Sequence, residues 1–404
     1  MHRMASIVQE FNCEPLVIVV SAIGKTTNAL EELLQLKREN KTQALQKAFF
    51  KIKQDHLSLI QSLELSQESK FSNVLEDSFY HLWEDLQVVD SDPYQTYDRI
   101  VSYGEDFSAC IVEQFLNEHK LKVKNIDARK LIYTDSRYTR AGIMWPNTER
   151  AIRSRLSPVL SSGHLMMTQG FIGADSFGET TTLGREGSDF TAAILAYALN
   201  AQEIGIWKDV PGLMNCDPRH FSDAIKLPHV SYNEAIELAF YGASVIHPKT
   251  IQPLQKKGIP LMIRSFYEPS SNPSLIDADE SDDDRIPKII VKQKQTLLSI
   301  SSRNLAFMAE ENLQKVFSVF TAHKVHINLM QHSAVSFSVC FDESHHQLEK
   351  LIHSLQEDFI LKYNTDLKLY TFRHYNQQLV NQFTKGQKLY LSQKNRTTLQ
   401  LLMR

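Results

Sequence analysis

Cysteine is scarce in this sequence, long apolar runs are missing, and positive and negative charges nearly balance. The cysteines include no Cys-x-x-Cys pair, so we expect buried thiols in a reducing compartment rather than disulfides or metal ligands; they are Cys13, Cys110, Cys216 and Cys340. No apolar stretch approaches membrane-spanning length and no signal peptide precedes Leu16, so we expect a soluble cytoplasmic protein. The net charge of -3 gives no basis for binding nucleic acid or an anionic membrane.

Glycine is absent from residues 37–86, where apolar residues recur at mixed helical spacing. We expect a helical hairpin here, which forms an outer layer without chemistry of its own. The sequence also predicts a strand at residues 130–133 and a helix at residues 106–116. Glu105 would then lie at the start of that helix, where a carboxylate is usually only a favourable partner of the helix dipole.

The length of 404 residues exceeds one ordinary hydrophobic core, so we expect two or more domains. Strands alternate with helices in residues 1–268, which predicts an α/β domain with a mainly parallel sheet sandwiched by helices. Residues 269–292 are rich in serine, proline and aspartate, which predicts an acidic, solvated linker. Residues 293–404 follow the order strand, helix, strand, strand, helix, which predicts α+β modules.

The chain is organised around residues 168–219, which predict a strand, a loop, a helix, a second strand and a second loop. Glycines in the first loop let the backbone approach an anion, and threonine hydroxyls add donors; they are Gly170, Gly173, Gly178, Thr180, Thr181 and Thr182. Ser188 and Asp189 lie where the helix should begin, and a donor-rich loop before a helix N-terminus suits an anion. Arg185 suits a carboxylate and Asp189 suits an ammonium group, so together they suit an amino acid. The alternative is a plain glycine-rich connector capped by a serine.

A second candidate phosphate contact follows the strand predicted at residues 16–20. The sequence Gly24-Lys25-Thr26 resembles part of a Walker A motif, but that motif needs a glycine where Val19 stands, so we reject a P-loop NTPase. Lys25 still places a cation where a strand turns into a helix, and this suits phosphate. His247 is more typical of a packed, hydrogen-bonded histidine than of a catalyst.

A series of motifs in register resembles the signatures of the aspartokinase family. They are Ser21-Ala-Ile-Gly-Lys-Thr-Thr27, Gly170-Phe-Ile-Gly173, Thr180-Thr-Thr-Leu-Gly-Arg-Glu-Gly-Ser-Asp189, Trp207-Lys-Asp-Val210, Asp217-Pro-Arg219, Glu234-Ala-Ile-Glu-Leu-Ala239 and Gly242-Ala-Ser-Val-Ile-His-Pro248. The resemblance covers nearly the whole chain, including a regulatory region that is similar to paired ACT modules. A series of motifs is more specific than any single glycine-rich loop.

The resemblance implies an amino-acid kinase fold and transfer of the ATP γ-phosphoryl group to the side-chain carboxylate of L-aspartate, with Mg²⁺ accompanying ATP. This is the first step of lysine, threonine and methionine biosynthesis. Arg185 would hold the substrate α-carboxylate, with Asp189 and Glu105 near its ammonium group. The nucleotide would be held by Ser21, Gly24, Lys25, Lys208, Asp209, Met214, Arg219 and Lys249. A homodimer is also implied, as is inhibition by lysine or threonine bound at the ACT-type region.

The chain departs from the family pattern in four places. The family's opening strand and Lys-Phe-Gly-Gly-Thr-Ser loop, whose lysine meets the phosphates, have no counterpart from Met1 onwards. Lys208 stands for the usual threonine, Ser244 for the usual lysine and Glu186 for the usual glycine. We hypothesise that Lys208 or Lys249 replaces the missing nucleotide cation.

Two explanations of the missing opening loop predict different functions. A natural chain that begins upstream of Met1 would regain the loop and act as an aspartate kinase. A truncated chain would be a catalytically impaired, amino-acid-binding regulatory protein of the same fold, because loss of a central cation slows phosphoryl transfer by orders of magnitude. A sibling kinase for another carboxylate, such as glutamate, is a third possibility, against which the linker and C-terminal modules argue.

Overall fold

The computed structural model describes residues 1–11, 14–66, 69–89, 92–243, 245–303 and 307–404. They form two compact units, the first of Met1–Pro211 with Ile246–Ala278 and the second of Gly212–Val245 with Asp279–Arg404. The helices are α1 (His2–Glu10), α2 (Thr26–Arg38), α3 (Thr42–Ser62), α4 (Ser69–Gln87), α5 (Pro93–Glu118), α6 (Trp145–Leu160), α7 (Gly187–Leu199), α8 (Tyr232–Tyr241), α9 (Pro248–Lys257), α10 (Glu310–Ala322), α11 (His345–Leu355) and α12 (Gln377–Thr384). The strands are β1 (Val17–Val20), β2 (Val123–Asn125), β3 (Leu165–Gln169), β4 (Ile172–Ala174), β5 (Thr180–Thr182), β6 (Ile204–Lys208), β7 (His229–Ser231), β8 (Leu261–Ser265), β9 (Ser274–Asp277), β10 (Lys288–Ser302), β11 (Ile327–His332), β12 (Ser336–Asp342), β13 (Phe359–Arg373), β14 (Leu389–Lys394) and β15 (Thr398–Met403).

The first unit contains a parallel sheet in which β3 lies between β1 and β2. Every residue of β3 is buried, as expected for a central parallel strand that is covered on both faces. Helices α5 and α6 pack against β3, and α7 packs against β1. In the same unit β6 runs parallel to β8, and β9 pairs antiparallel with β8. The predicted mainly parallel sheet with helical layers is confirmed.

Helices α3 and α4 are the two helices that the glycine-free stretch predicts, and they belong to a helical layer with α2 and α5. Helix α2 packs on α3 and α5, and α4 packs on α5. Phe79 of α4 stacks on Phe107 of α5 with ring centroids 4.3 Å apart, and both side chains are fully buried. Each buried phenylalanine of this kind contributes about 2 kcal/mol to the stability of the layer.

Helix α5 begins earlier than predicted, at Pro93 rather than at residue 106. Asp92 caps it by accepting hydrogen bonds from the backbone N–H groups of Tyr94, at 2.8 Å, and Gln95, at 3.3 Å. A capping aspartate followed by proline is a strong helix start, and the prediction overlooked it. Glu105 is therefore buried within the helix and not at its N-terminus.

The prediction of a strand at residues 130–133 was also wrong. A 3₁₀ turn at Ala128–Lys130 occupies its start, because Asp127 accepts a hydrogen bond from the Arg129 backbone N–H at 3.0 Å. Tyr133 makes only a single β-bridge. The strand that pairs with β3 is β2, which is 3 residues long and therefore too short to give a clear periodic signal.

The second unit is built around a six-stranded sheet in the order β11-β12-β10-β13-β15-β14, with antiparallel pairing throughout. Strands β10 and β13 are each 15 residues long and lie in the middle. Helices α10 and α11 pack through Val316, Phe320 and Leu351 on one core, and α12 packs through Val380 on another. The predicted order of strands and helices, which is that of ACT-type modules, is confirmed.

The segment predicted as a solvated linker, residues 269–292, contains regular structure. Strand β9 lies inside it and pairs with β8 in the first unit. In the second unit, Asp283 accepts hydrogen bonds from the Ser231 backbone N–H at 2.9 Å and from its hydroxyl at 2.6 Å. Strand β10 then begins at Lys288. The structure differs from the prediction because Asp283 of this acidic segment accepts hydrogen bonds from Ser231 instead of facing water. The predicted domain boundaries stay a prediction.

A cluster of buried charges lies within the second unit. Glu234 of α8 is 2% exposed and accepts a hydrogen bond from Arg373 Nη2 at 2.5 Å, while Lys288 Nζ lies 3.5 Å from its other oxygen. Burial would raise the pKa of Glu234, but the Arg373 hydrogen bond and the positive charges of Lys288 and Arg373 outweigh it, so its pKa is lowered. Ser231 caps α8 by accepting a hydrogen bond from the Glu234 backbone N–H at 3.0 Å, while the Glu234 side chain binds Arg373.

We expect Arg373→Met to lower the free energy of unfolding of the second unit by about 3 kcal/mol at neutral pH, because it leaves a buried carboxylate short of its main partner. The pKa of Glu234 is lowered in the folded chain, so the pair's contribution is complete above the ordinary glutamate pKa and declines as pH falls through the lower folded value. The difference from the wild type should therefore shrink in acid. Scanning calorimetry at several pH values measures it, with the exposed Arg396→Met as control. An unchanged unfolding profile for Arg373→Met at neutral pH would contradict this account.

Candidate active site

The turn after β1 contributes backbone donors and a cation to the site. Gly24 has φ +61°, a left-handed conformation that favours glycine, and α2 begins directly after the exposed Lys25. The first turn of α2 directs backbone N–H groups to this end of the helix. Ser21 accepts a hydrogen bond from the Ser188 hydroxyl at 3.2 Å, which joins the turn to the start of α7. The arrangement suits an anion.

The start of α7 lies against the corner between β3 and β4 at a separation that excludes side chains. A Cβ atom at Gly170 would lie 2.5 Å from the Cβ of Ser188 and 2.7 Å from its Cα. A Cβ atom at Gly187 would lie 2.6 Å from the ring of Phe171. Glycine at these positions therefore serves close packing of the loop on the helix, which holds the helix N-terminus in place.

The threonines of β5 do not supply donors to an anion, and that prediction was wrong. Thr182 is buried and donates its hydroxyl to Asp98 at 2.7 Å and its backbone N–H to the same carboxylate at 2.8 Å. The Thr181 hydroxyl is hydrogen-bonded to another threonine, and that of Thr180 accepts from Arg129 at 2.8 Å. Because α5 lies alongside β5, these groups are used within the fold.

Helix α5 brings Glu105 to the turn after β1. The Glu105 side chain is 2% exposed and accepts a hydrogen bond from the Ala22 backbone N–H, while its Oε2 atom has no partner among the described residues. Burial raises the pKa of Glu105 to about 8, against the opposing effect of that hydrogen bond. The same helix donates the Ser108 hydroxyl to the Ser21 carbonyl at 2.6 Å. Sequence reasoning missed Ser108, since nothing in the pattern links it to a residue 87 positions away.

An ion pair joins the end of β6 to the first turn of α7. Lys208 Nζ lies 2.6 Å from Asp189 Oδ2, and the two side chains are 24% and 15% exposed. Burial raises the pKa of Asp189, and the charge and hydrogen bond of Lys208 oppose that rise without cancelling it. Lys208 is thus the main group that favours the ionised form of Asp189.

Glu186 adds a second carboxylate beside the helix start. Its φ of +54° is left-handed, a conformation that costs an ordinary residue about 1 kcal/mol, which explains why glycine is usual at this position of the motif. Burial raises the pKa of Glu186, although the charge of Lys208 and a hydrogen bond from the His247 backbone N–H counteract it. Its Oε2 atom is buried without a partner among the described residues. Sequence reasoning noted the departure but did not foresee that the carboxylate would face the site.

Several predicted site residues gather at the start of α7. They are Ser21, Arg185, Asp189 and Lys208, while Glu105 contacts the neighbouring turn after β1 through Ala22. Arg185 is exposed. Burial lowers the pKa of His247, and the positive charges of Lys249 and Arg185 lower it further, so both cations act near the start of α9. His247 caps this helix by accepting the Lys249 backbone N–H at 3.1 Å, in keeping with the predicted hydrogen-bonded histidine.

The remaining predicted nucleotide contacts lie on the chain that follows β6. Asp209 is exposed directly after the strand. Met214 and Arg219 belong to the second unit, where Arg219 donates two hydrogen bonds, of 3.0 and 2.7 Å, to the carboxylate of Asp217. Ser244, which stands for the lysine usual in the motif, lies outside the described residues.

The described residues also bear on metal binding, membrane spanning and cysteine chemistry. No three His, Cys, Asp or Glu side chains among them are grouped as ligands for a metal ion. Within the same ranges, no helix has the length and apolar character needed to cross a membrane. Cys216 and Cys340 are buried free thiols, as predicted, whereas the free thiol Cys110 is half-buried, and Cys13 lies outside the described residues.

The fold is that of an α/β protein in which two helix starts suited to an anion lie at the carboxyl ends of parallel strands. The model of the amino acid kinase family matches residues 1–265. The chain therefore belongs to the amino acid kinase family. Lysine-sensitive aspartokinase 3 of Escherichia coli (strain K12) is 32% identical to it over 300 residues, which cover 71% of this chain and 65% of that relative. The chain thus spans just under two thirds of that relative's length.

Solved structures with a similar fold include Escherichia coli aspartokinase III in two states. The complex with aspartate and ADP, in the R-state, gives a TM-score of 0.79 at 27% identity and covers 100% of this chain and 92% of that chain. The complex with lysine and aspartate, in the T-state, gives a TM-score of 0.77 at 27% identity and covers 99% and 92%. The resemblance to aspartokinases that the motifs predicted is confirmed.

We expect Gly170→Ala to destabilise the first unit by about 3 kcal/mol, because the added Cβ would meet the backbone of Ser188. Gly163→Ala is the matched control, since Gly163 has φ +75° with open space around it and should lose only about 1 kcal/mol. Thermal unfolding of the two variants measures the difference. Equal losses, or a larger loss at Gly163, would contradict the packing described for the start of α7.

Proposed function

We propose that the chain is an aspartate kinase, which transfers the γ-phosphoryl group of ATP to the side-chain carboxylate of L-aspartate and forms 4-phospho-L-aspartate. The observation that carries this proposal is the contact between the start of α7, which bears Asp189 just after Arg185, and the turn after β1, which holds the buried Glu105 through Ala22. The related structure that contains both aspartate and ADP supports it.

The amino acid is recognised by charge complementarity. The exposed Arg185 guanidinium matches the planar α-carboxylate and can donate two parallel hydrogen bonds to it. Asp189 and Glu105 supply negative charge for the α-ammonium group. Glu105 has one hydrogen-bonded and one unpartnered oxygen, so it can accept a further donor without breaking its bond to Ala22.

The reaction needs positioning and charge neutralisation rather than a general base. A carboxylate nucleophile with a pKa near 4 is already ionised at neutral pH. ATP with Mg²⁺ supplies the phosphoryl group and cancels part of its charge. Mg²⁺ is commonly held through substrate phosphates and only one or two carboxylates, so the donor set of the described residues fits it.

The nucleotide lies against the cationic residues and the turn after β1 in this proposal. The amide and hydroxyl donors near the start of α2, with the ammonium groups of three lysines, offer the charge that phosphates require. The contributing residues of the first unit are Ser21, Gly24, Lys25, Lys208, Asp209 and Lys249.

We also infer a regulatory role for the C-terminal region. Residues 1–268 form the catalytic domain in this proposal, 269–292 the connection and 293–404 an ACT-type region that binds lysine or threonine as an inhibitor. A relative whose T-state structure contains lysine supports such an effector. The enzyme would be a homodimer of the cytoplasm.

Formation of aspartyl hydroxamate from L-aspartate, MgATP and hydroxylamine tests the proposed reaction. Wild type should form it, and Arg185→Ala should lower kcat/KM for aspartate about 100-fold, because it removes a charged, two-pronged contact. Arg150→Ala, an exposed arginine on α6, is the matched control and should leave the rate unchanged.

Two results would contradict this assignment. Binding of aspartate without any ATP-dependent hydroxamate would favour the alternative, an amino-acid-binding regulatory protein. Faster turnover of glutamate than of aspartate would favour the sibling kinase.

The affinity for aspartate should rise with pH up to about 8 through Glu105. Its pKa is raised to about 8, so the folded chain keeps a proton on Glu105 at neutral pH, and the α-ammonium group needs the ionised form. Binding at neutral pH should therefore release a proton, which calorimetry in two buffers of different ionisation enthalpy detects. Glu105→Gln should bind aspartate more weakly, without proton release. If Glu105→Gln binds aspartate more weakly but still releases as many protons as wild type, the released proton comes from another group.

A further inference from the structure

The ion pair between Lys208 and Asp189 places two cations in competition for one carboxylate. Lys208 Nζ lies 2.6 Å from Asp189 Oδ2, a full charge-assisted hydrogen bond. Asp189 is also the carboxylate proposed for the substrate's α-ammonium group. A lysine ammonium and an amino acid's ammonium carry the same charge and the same donors, so each can replace the other on this carboxylate.

The backbone of Lys208 is fixed while its side chain is free to turn. The Lys208 carbonyl accepts the Phe266 backbone N–H at 2.7 Å, and the residue pairs with Ser265 in the parallel ladder of β6 and β8. The side chain is 24% exposed and has a flexible four-carbon stem. Displacement of the ammonium group from Asp189 therefore requires only rotation of the side chain.

Among the described residues, a displaced Lys208 would have the carboxyl groups of Glu186 and Asp209 as anionic neighbours. Glu186 feels its charge, yet burial keeps the pKa of that carboxyl raised, and its hydrogen bond from the His247 backbone stays in place. Asp209, next in the chain, is exposed to water. The released ammonium group would stay at the end of β6, beside the segment proposed for the nucleotide, where phosphates compete with these carboxyl groups for it.

We propose that Lys208 is a substrate-exchanged cation: the α-ammonium group of the amino acid takes its place on Asp189, and the released lysine binds the phosphates of the nucleotide. The exchange rests on the proposed aspartate kinase function and deepens it. It makes Lys208 a specificity-determining residue, because a dicarboxylate without an ammonium group cannot release it. Amino acid and nucleotide then bind cooperatively, since the first ligand supplies the cation for the second.

Calorimetric titration of a non-hydrolysable ATP analogue with Mg²⁺ tests the exchange without turnover. Each protein is titrated alone, with saturating L-aspartate, and with saturating succinate, which lacks the ammonium group. In wild type, aspartate should raise the analogue's affinity about 10-fold, and succinate should leave it unchanged. In Lys208→Met the 10-fold gain should disappear, while aspartate binds about 3-fold or more tighter because its competitor is gone. Lys208→Gln, which keeps a neutral donor for Asp189, should lose the gain in the same way if the methionine variant folds poorly.

The outcomes separate the exchange from the proposed function. The exposed Lys256→Met should behave as wild type. A 10-fold gain that persists in Lys208→Met and Lys208→Gln, or a gain given equally by succinate, would overturn the exchange while leaving aspartate kinase activity intact. Weaker aspartate binding in both Lys208 variants would also overturn it, because the lysine would then assist the substrate. Wild type that binds the analogue but no aspartate would overturn the proposed function itself.

Discussion

The close contact between the start of α7 and the corner after β3 is the constraint on which the site depends. Gly170 and Gly187 leave no room for a Cβ atom between loop and helix, so the helix N-terminus is held against the carboxyl end of the parallel sheet. Once it is fixed there, Ser188 reaches Ser21 and Asp189 reaches Lys208. The site is therefore a consequence of backbone packing first and of side-chain chemistry second.

The two units use their buried carboxylates in different contacts. In the first, Asp98 accepts three backbone and hydroxyl donors from Thr139 and Thr182, and in this way anchors the threonine-rich strand from outside the site. In the second, Glu234 is neutralised by Arg373 and Lys288 within a helix-to-sheet contact. The second oxygen of Glu234 accepts no hydrogen bond but lies 3.5 Å from Lys288 Nζ, whereas the unpartnered oxygens of Glu105 and Glu186 lie at the site. Unsatisfied buried carboxylates are costly to a fold, so their concentration at one place indicates a function.

Local sequence was sufficient where the determinant is local. The start of α7 beside Ser188 and the helices over residues 37–86 depend on residues within one or two turns, and these predictions were confirmed in position. The motifs also predicted that Arg185, Asp189 and Glu105 belong to one substrate site, and this assignment stays a prediction. Their contacts could not be predicted in the same way, because partners such as Asp98 and Thr182 are 84 residues apart in the chain. Lys208 illustrates the limit: its identity marked a departure from the family, but only the geometry revealed its ion pair.

The account stands on one claim, that the start of α7 holds a free amino acid by both of its charged groups. A crystal structure of this chain with L-aspartate and ADP tests that claim most directly. The account predicts the α-carboxylate within about 3 Å of the Arg185 guanidinium and the α-ammonium group within the same distance of Asp189. Aspartate bound away from α7, with the Lys208–Asp189 ion pair intact beside it, would contradict it.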